Sequence, residues 1–370
     1  MSNRRRLLRS SAGIGFAVLL MLMQLGFEQG FFDSSLQVIR GLDGDMFLQS
    51  AHKYQFATQD PIPVAELATA RSVPGIASAR PLYADWYDLF WTNPYDGKRF
   101  LVRALAFIPD QPVFTFPQIN AERQRLNAPG SVLVDRRSRR FLGMNGAASQ
   151  SELNGAKVAI VGSFALGPDF GSDGTVLMGD RTFAQLMRGV AGTPPGMEAG
   201  VLKLAAGANP ASVQTALAKA LPPTTTVLTK AQLIAFEHAY QADVSSAGPI
   251  FAIGTIVGFV VGMLISYQIT YADVADQLPQ YATLKAIGYP TRYLLRVVLG
   301  QAGLNALAGW VPAWLLSIVL YHVVGEVALL PLRMTLEITA VSFGLTLGMC
   351  LISAVIAVRR VVAADPAEVF

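Results

Sequence analysis

Charge is scarce in this chain. Only 15% of its 370 residues are Asp, Glu, Lys or Arg, whereas 52% are hydrophobic, too apolar a balance for an ordinary soluble enzyme. There is one cysteine, Cys350, so a disulfide framework or an intramolecular cysteine pair is excluded. The three histidines, His52, His238 and His322, are far apart, and none has a ligand companion at helical spacing. Histidine-based metal chemistry is therefore not expected, and the metal assignment is none. No GxSxG, HExxH or paired-cysteine motif is present, and without a GxxxxGK[ST] the chain cannot by itself hydrolyse ATP through a P-loop. A formal charge of +4 comes from basic residues beside apolar runs or scattered over the polar middle. It reads as membrane topology, with no nucleic-acid partner.

What is abundant is long apolar sequence. Four stretches, Gly13–Phe27, Pro249–Ile269, Leu294–Val324 and Ile338–Val358, suit membrane helices, for which about 20 residues cross the hydrocarbon layer. Arg4, Arg5, Arg6 and Arg9 precede the first, as they would in a signal peptide, but no small-x-small cleavage pattern follows it, so a retained helix is expected. Lys285, Arg292 and Arg296 lie between the second and third stretches, and Arg359 and Arg360 follow the fourth. The positive-inside rule then puts both termini and that connection in the cytoplasm, with the polar region on the other side.

Small residues recur at packing intervals in the apolar stretches. Gly254, Gly258 and Gly262 form a double GxxxG, and Gly344 with Gly348 another; bundle packing and a dimerisation face both explain them. Gln301, Asn305 and Pro312 suggest a hydrogen-bonded seam or a kink in the third stretch.

The expected fold class is an α-helical membrane protein with four transmembrane helices plus a large mixed α/β extracytoplasmic domain. In residues, this means a basic N-terminus over 1–12, a first helix over 13–32, the external domain with a stalk over 33–246, and a second membrane domain over 247–370. Strands are expected at Pro81–Trp91, Arg99–Phe107, Ser131–Asp135, Lys157–Phe164 and Ala199–Ala205, with a turn at Asn93–Lys98. Asn209 followed by Pro210 begins one helix. Thr229 with Gln232 makes a capping box for another, expected to run unbroken to Gly248 as the stalk. "DFGSDG" (Asp169–Gly174) reads as a glycine-rich turn, since the other kinase elements are missing, and "DRRSRR" (Asp135–Arg140) as a solvated helix face.

The connection Tyr271–Pro290 carries concordant signals. Asp276 can cap a short helix over 276–287, Pro279 fits its first turn, and Gly288 can end it in the left-handed region. Leu278, Tyr281, Leu284 and Ile287 recur at helical spacing as an apolar stripe. Such a helix can lie on lipid or dock in another protein's groove, and the few charges favour docking.

"QLPQYATLKAIG" (Gln277–Gly288) resembles the coupling segment of FtsX-like, MacB-type permeases of ABC transporters. "RRVVAADPAEVF" (Arg359–Phe370) resembles that family's ending, and "SFALGPDFGSDGTVLMGDRTFAQLM" (Ser163–Met187) resembles the external-domain pattern of its DevC subfamily, departing at Gly179, where serine is usual. The resemblance implies an inner-membrane export permease of the mechanotransmission type with no catalytic residues of its own. ATP and Mg would act through a separate cytoplasmic MacB- or DevA-like ATPase gripping Leu278, Tyr281, Thr283, Leu284, Lys285, Ile287 and Gly288. It further implies a homodimer, a DevB-like membrane-fusion protein, an outer-membrane duct, a periplasmic location for the large domain, and a lipid or glycolipid cargo. Two other readings are a regulatory scaffold that transmits ATPase motion to cell-envelope enzymes, and a membrane-anchored enzyme, for which no acid–base or nucleophile constellation is visible.

Overall fold

A computed structural model describes residues 2–191, 196–245 and 247–363. The chain divides into two compact units, one of residues 1–30, 246–328 and 332–370, the other of 31–245 with 329–331.

The first unit is helical. Four helices are long and apolar enough to cross a membrane, over Ser11–Ser35, Gly248–Asp276, Leu295–Ala328 and Leu336–Arg359. Close approach along the glycine seam brings the second helix against the first and, at Gly262, against the fourth as well. A Cβ on Gly254 would lie 2.6 Å from Gln24 Cδ, one on Gly258 2.9 Å from Met21 Cγ, and one on Gly262 2.5 Å from Met349 Sδ. This double GxxxG is thus consumed by packing within the chain. A Cβ on Gly344 or Gly348 would meet nothing, so the second GxxxG packs against no other helix of the described chain. Polar side chains tie the remaining contacts: Trp310 Nε1 donates to Ser342 Oγ and Trp314 Nε1 to Thr339 Oγ1, both at 3.2 Å, and Ser353 Oγ donates to the Met263 carbonyl at 2.7 Å. Tyr321 donates its hydroxyl to the Leu22 carbonyl.

The second unit is built on a sheet of eleven strands: β1 Met46–Ser50, β2 Ile76–Asp85, β3 Phe90–Thr92, β4 Arg99–Leu101, β5 Arg103–Phe107, β6 Ser131–Asp135, β7 Gln150–Leu153, β8 Ala156–Phe164, β9 Thr175–Gly179, β10 Ala199–Leu204 and β11 Thr225–Thr229. Their order is β11-β1-β10-β2-β5-β9-β6-β8-β7-β3-β4. Pairing is antiparallel except for β5 with β9 and β6 with β8.

β1, β5, β6 and β9 are buried along their whole length, and alternation sorts their side chains. Phe47, Leu105, Phe107, Leu133 and Leu177 share one cluster, covered by Ile39, Ile119 and Leu233 from three short helices. Their strand neighbours point the other way. Ala104, Val132, Val134, Val176 and Met178 pack with Phe183, while Met46 and Leu48 pack with Leu67, Val213 and Leu217. Helices on both faces explain why these strands read as continuous apolar runs.

Several local expectations hold. Asn209 Oδ1 accepts from the Ala211 N–H at 2.9 Å, Thr229 and Gln232 form the reciprocal capping box, and Gly97 turns the chain at φ +72°. Gly179 is explained too: a Cβ there would lie 2.5 Å from the Leu126 carbonyl oxygen, so serine does not fit.

Four expectations are corrected. Arg99–Phe107 is two strands, β4 and β5, which part at Val102, whose N–H donates to the Leu89 carbonyl at 3.1 Å. The stalk is not one helix: the segment from Lys230 ends at Ala239, a π-helical turn covers Tyr240–Val244, and Ser245 is extended. Pro81–Trp91 is two strands, because the buried Asp85 carboxylate accepts from the Asp88 and Leu89 N–H groups and bends the chain between them. "DRRSRR" is the end of β6, a turn and a 3-10 segment; Asp135 is buried and accepts from the Leu166 and Gly167 N–H groups. The "DFGSDG" stretch is a turn, with Asp169 Oδ1 accepting from Gly171 and Ser172.

Candidate functional site

The expected coupling segment forms a separate helix over Leu278–Ala286. Its start differs from expectation. The second span continues through Asp276, only Gln277 intervenes, and Asp276 therefore belongs to the preceding helix instead of capping the next. Pro279 still falls in the first turn, where its missing N–H costs nothing. The end is as expected. Gly288 has φ +103° and the Tyr289 N–H donates to the Leu284 carbonyl at 3.1 Å, the six-to-one bond of a Schellman motif, while the Ile287 N–H continues the ordinary helical pattern to the Thr283 carbonyl at 3.1 Å.

The apolar stripe divides. Leu278 and Leu284 pack against the bundle core, which contains Val274 and Val298, so they anchor the helix to its own unit. Ile287 is 70% exposed and Thr283 is exposed, its hydroxyl donating to the Pro279 carbonyl at 3.0 Å. The side chains of Tyr281 and Lys285 lie outside the described residues. So does the DPAE-like ending, residues 364–370.

Two aromatic residues extend the exposed surface beyond Ile287. Tyr289 and Tyr293 are both exposed, with ring centroids 4.8 Å apart, and Arg292 and Arg296 beside them are exposed as well. The periodicity argument stopped at Gly288 and missed them; the aromatic i, i+4 spacing across "YPTRY" was the available signal. Gln301 Nε2 of the third span donates to Asp273 Oδ2 of the second at 3.1 Å. The exposed surface therefore lies at and beyond the C-terminal end of the helix, where Ile287, Tyr289, Arg292, Tyr293 and Arg296 face outward. Among the described residues no group of three His, Cys, Asp or Glu side chains is placed to hold a metal.

Residues 251–366 match the family model described as FtsX-like permease C-terminal. That segment is similar to an FtsX-like permease C-terminal domain. It contains the second, third and fourth spans and the Leu278–Ala286 helix. An uncharacterized ABC transporter permease of Mycobacterium bovis is 33% identical over 112 residues, 30% of this chain and 31% of its own length. Two permeases so described from Mycobacterium tuberculosis strains match to the same extent. The chain thus spans about a third of the length of the curated relatives it matches. Among solved structures, the periplasmic region of MacB from Actinobacillus actinomycetemcomitans aligns at 11% identity with a TM-score of 0.37, covering 53% of this chain and 94% of that one. The extracellular domain of the noncanonic ABC-type transporter YknZ from Gram-positive bacteria aligns at 12% identity with a TM-score of 0.33, covering 50% and 99%.

Proposed function

We propose that the chain is the membrane permease subunit of an ABC exporter of the mechanotransmission type. The observation that carries this reading is the match of residues 251–366 to the FtsX-like permease C-terminal model, with a short separate helix between the second and third spans followed by exposed Ile287, Tyr289, Arg292 and Tyr293. A helix presenting isolated apolar anchors is suited to a groove on a partner. Here the partner is a cytoplasmic ABC ATPase, since the chain has no P-loop. Dimerisation of that ATPase on ATP moves the helix, and the second and third spans carry the motion to the sheet domain on the periplasmic side. Ile287 and Thr283, with Lys285 and Tyr281, make the contact; Leu278, Leu284 and Gly288 set the helix in place. Their role is mechanical.

The finer assignment rests on the Ser163–Met187 stretch, which supports a DevC-like subunit working as a homodimer with a DevB-like membrane-fusion protein and an outer-membrane duct to export a lipid or glycolipid. The test is co-purification with the ATPase encoded beside the gene, and ATP turnover in lipid nanodiscs, for wild type and Ile287→Asp. Loss of bound ATPase at unchanged melting temperature is expected. Unchanged association and turnover in Ile287→Asp combined with Lys285→Glu would sink the coupling assignment.

A further inference from the structure

The sheet unit contains a cavity of about 230 Å³ with several aromatic side chains in its wall, Phe56, Trp86, Tyr87, Phe170 and Tyr240 among them. One carboxylate sits among them. Glu237 is 4% exposed, and both its oxygens are held by neutral donors, Oε2 by the Phe56 N–H at 2.8 Å and Oε1 by Gln241 Nε2 at 2.9 Å. No ion pair among the described residues involves it. The other two charges in the lining, Arg103 and Asp169, are paired with each other. Arg103 is also committed to Thr175, donating from Nε at 3.0 Å and from Nη2 at 2.8 Å. Glu237 is therefore the one lining charge left uncompensated.

We propose that this cavity binds an organic cation, an ammonium group carried on an apolar body. A buried carboxylate held only by neutral donors gains most from an incoming positive charge, and aromatic faces attract cations through their quadrupoles while covering the ligand's apolar part. Entry is open, because Tyr87 and Phe170 are 48% and 57% exposed. An anion of similar size would meet Glu237 at close range with Arg103 already engaged. Burial, the largest cause, and the neighbouring Asp169 push the Glu237 carboxyl above its ordinary range, consistent with a site short of positive charge. The inference goes beyond the permease reading and does not depend on it, since binding needs no ATPase.

The full chain in nanodiscs is titrated calorimetrically with benzyltrimethylammonium and with benzoate, against empty nanodiscs. Saturable binding of the cation alone is expected, weakened at least tenfold by Glu237→Gln and by Tyr87→Leu with the thermal melt retained. The proposal is overturned by an absence of saturable cation binding, by benzoate binding as well as the cation, or by unchanged cation affinity in Glu237→Gln. If Glu237→Gln does not fold, Tyr87→Leu at the open mouth decides: unchanged affinity overturns the proposal. Co-purification with the ATPase is read separately, so failure here leaves the permease reading standing.

Discussion

Gln301 of the third span donates to Asp273 of the second, 3.1 Å apart, linking the two spans that flank, along the chain, the helix proposed to meet the ATPase. Both side chains lie where two spans must move together for a push on that helix to travel further. Hydrogen bonds between membrane helices are worth roughly 1 kcal/mol. Gln301→Leu is therefore expected to lower the stability of the bundle by about that amount, and to uncouple ATP turnover from movement of the sheet domain more than it weakens ATPase binding. Stability comes from denaturation in nanodiscs and movement from a spin-label pair across the chain. Equal coupling in variant and wild type would remove this contact from the transmission route.

Gly288→Ala tests the end of the coupling helix. An added Cβ meets nothing within 4 Å, so the cost is conformational, from forcing alanine into φ +103°. A loss of about 1 kcal/mol in local helix stability is expected. Hydrogen exchange of the Tyr289 amide, which closes the helix on the Leu284 carbonyl, should report it as faster exchange with the spans unaffected.

Gly262→Leu and Gly344→Leu separate the two glycine pairs that the sequence left equivalent. The first places a side chain against Met349 and Ala17, and overpacking of this kind costs about 1–3 kcal/mol. The second adds a side chain where nothing stands, with an expected change within about 0.5 kcal/mol. Thermal melts of the two variants in one detergent give the comparison.

Features determined within a few residues were legible. The capping box at Thr229, the Asn209 cap, the turn at Gly97 and the left-handed Gly288 each follow from residue types at fixed offsets. The four spans were legible from apolar length alone. The stalk was misread because nothing between Thr229 and Gly248 breaks a helical pattern, whereas the structure interrupts it with a π-turn where Tyr240 packs on Tyr54 and Gln241 turns to Glu237. Leu278 and Leu284 looked like part of a docking face because periodicity shows which residues share a side and not what covers it. The cavity around Glu237 was invisible for a different reason. Its lining comes from segments as far apart as Phe31 and Ser245, and no local rule relates them.

Lys53 and Glu198 form a buried ion pair, at 0% and 1% side-chain exposure, and Glu198 also accepts from Gln59 Nε2 at 2.7 Å. Removing one member leaves the other charged and dry. Lys53→Met is expected to destabilise the chain by about 3–5 kcal/mol, with Lys53→Met combined with Glu198→Leu recovering much of the loss. Urea denaturation followed by tryptophan fluorescence supplies the double-mutant cycle, and a fully additive result would show that the pair does not interact.

The raised carboxyl of Glu237 has a definite consequence for pH. An unfolded glutamate titrates at its ordinary value of 4.5, whereas burial keeps Glu237 protonated to higher pH in the folded chain. Between those two values the folded state holds a proton that the unfolded state has released, so stability falls as pH rises through the window. Below it both states are protonated, and above it the loss is complete. Buried Glu198 and Asp85 are raised in the same direction, so the contribution of Glu237 must be taken as a difference. As pH rises above 4.5, the melting temperature of wild type should fall more steeply than that of Glu237→Gln. Parallel curves would mean that Glu237 is compensated by a charge, and would also weaken the case for a cation site. Saturating benzyltrimethylammonium should flatten the wild-type curve, because a bound cation favours the ionised carboxylate and restores the stability lost on deprotonation.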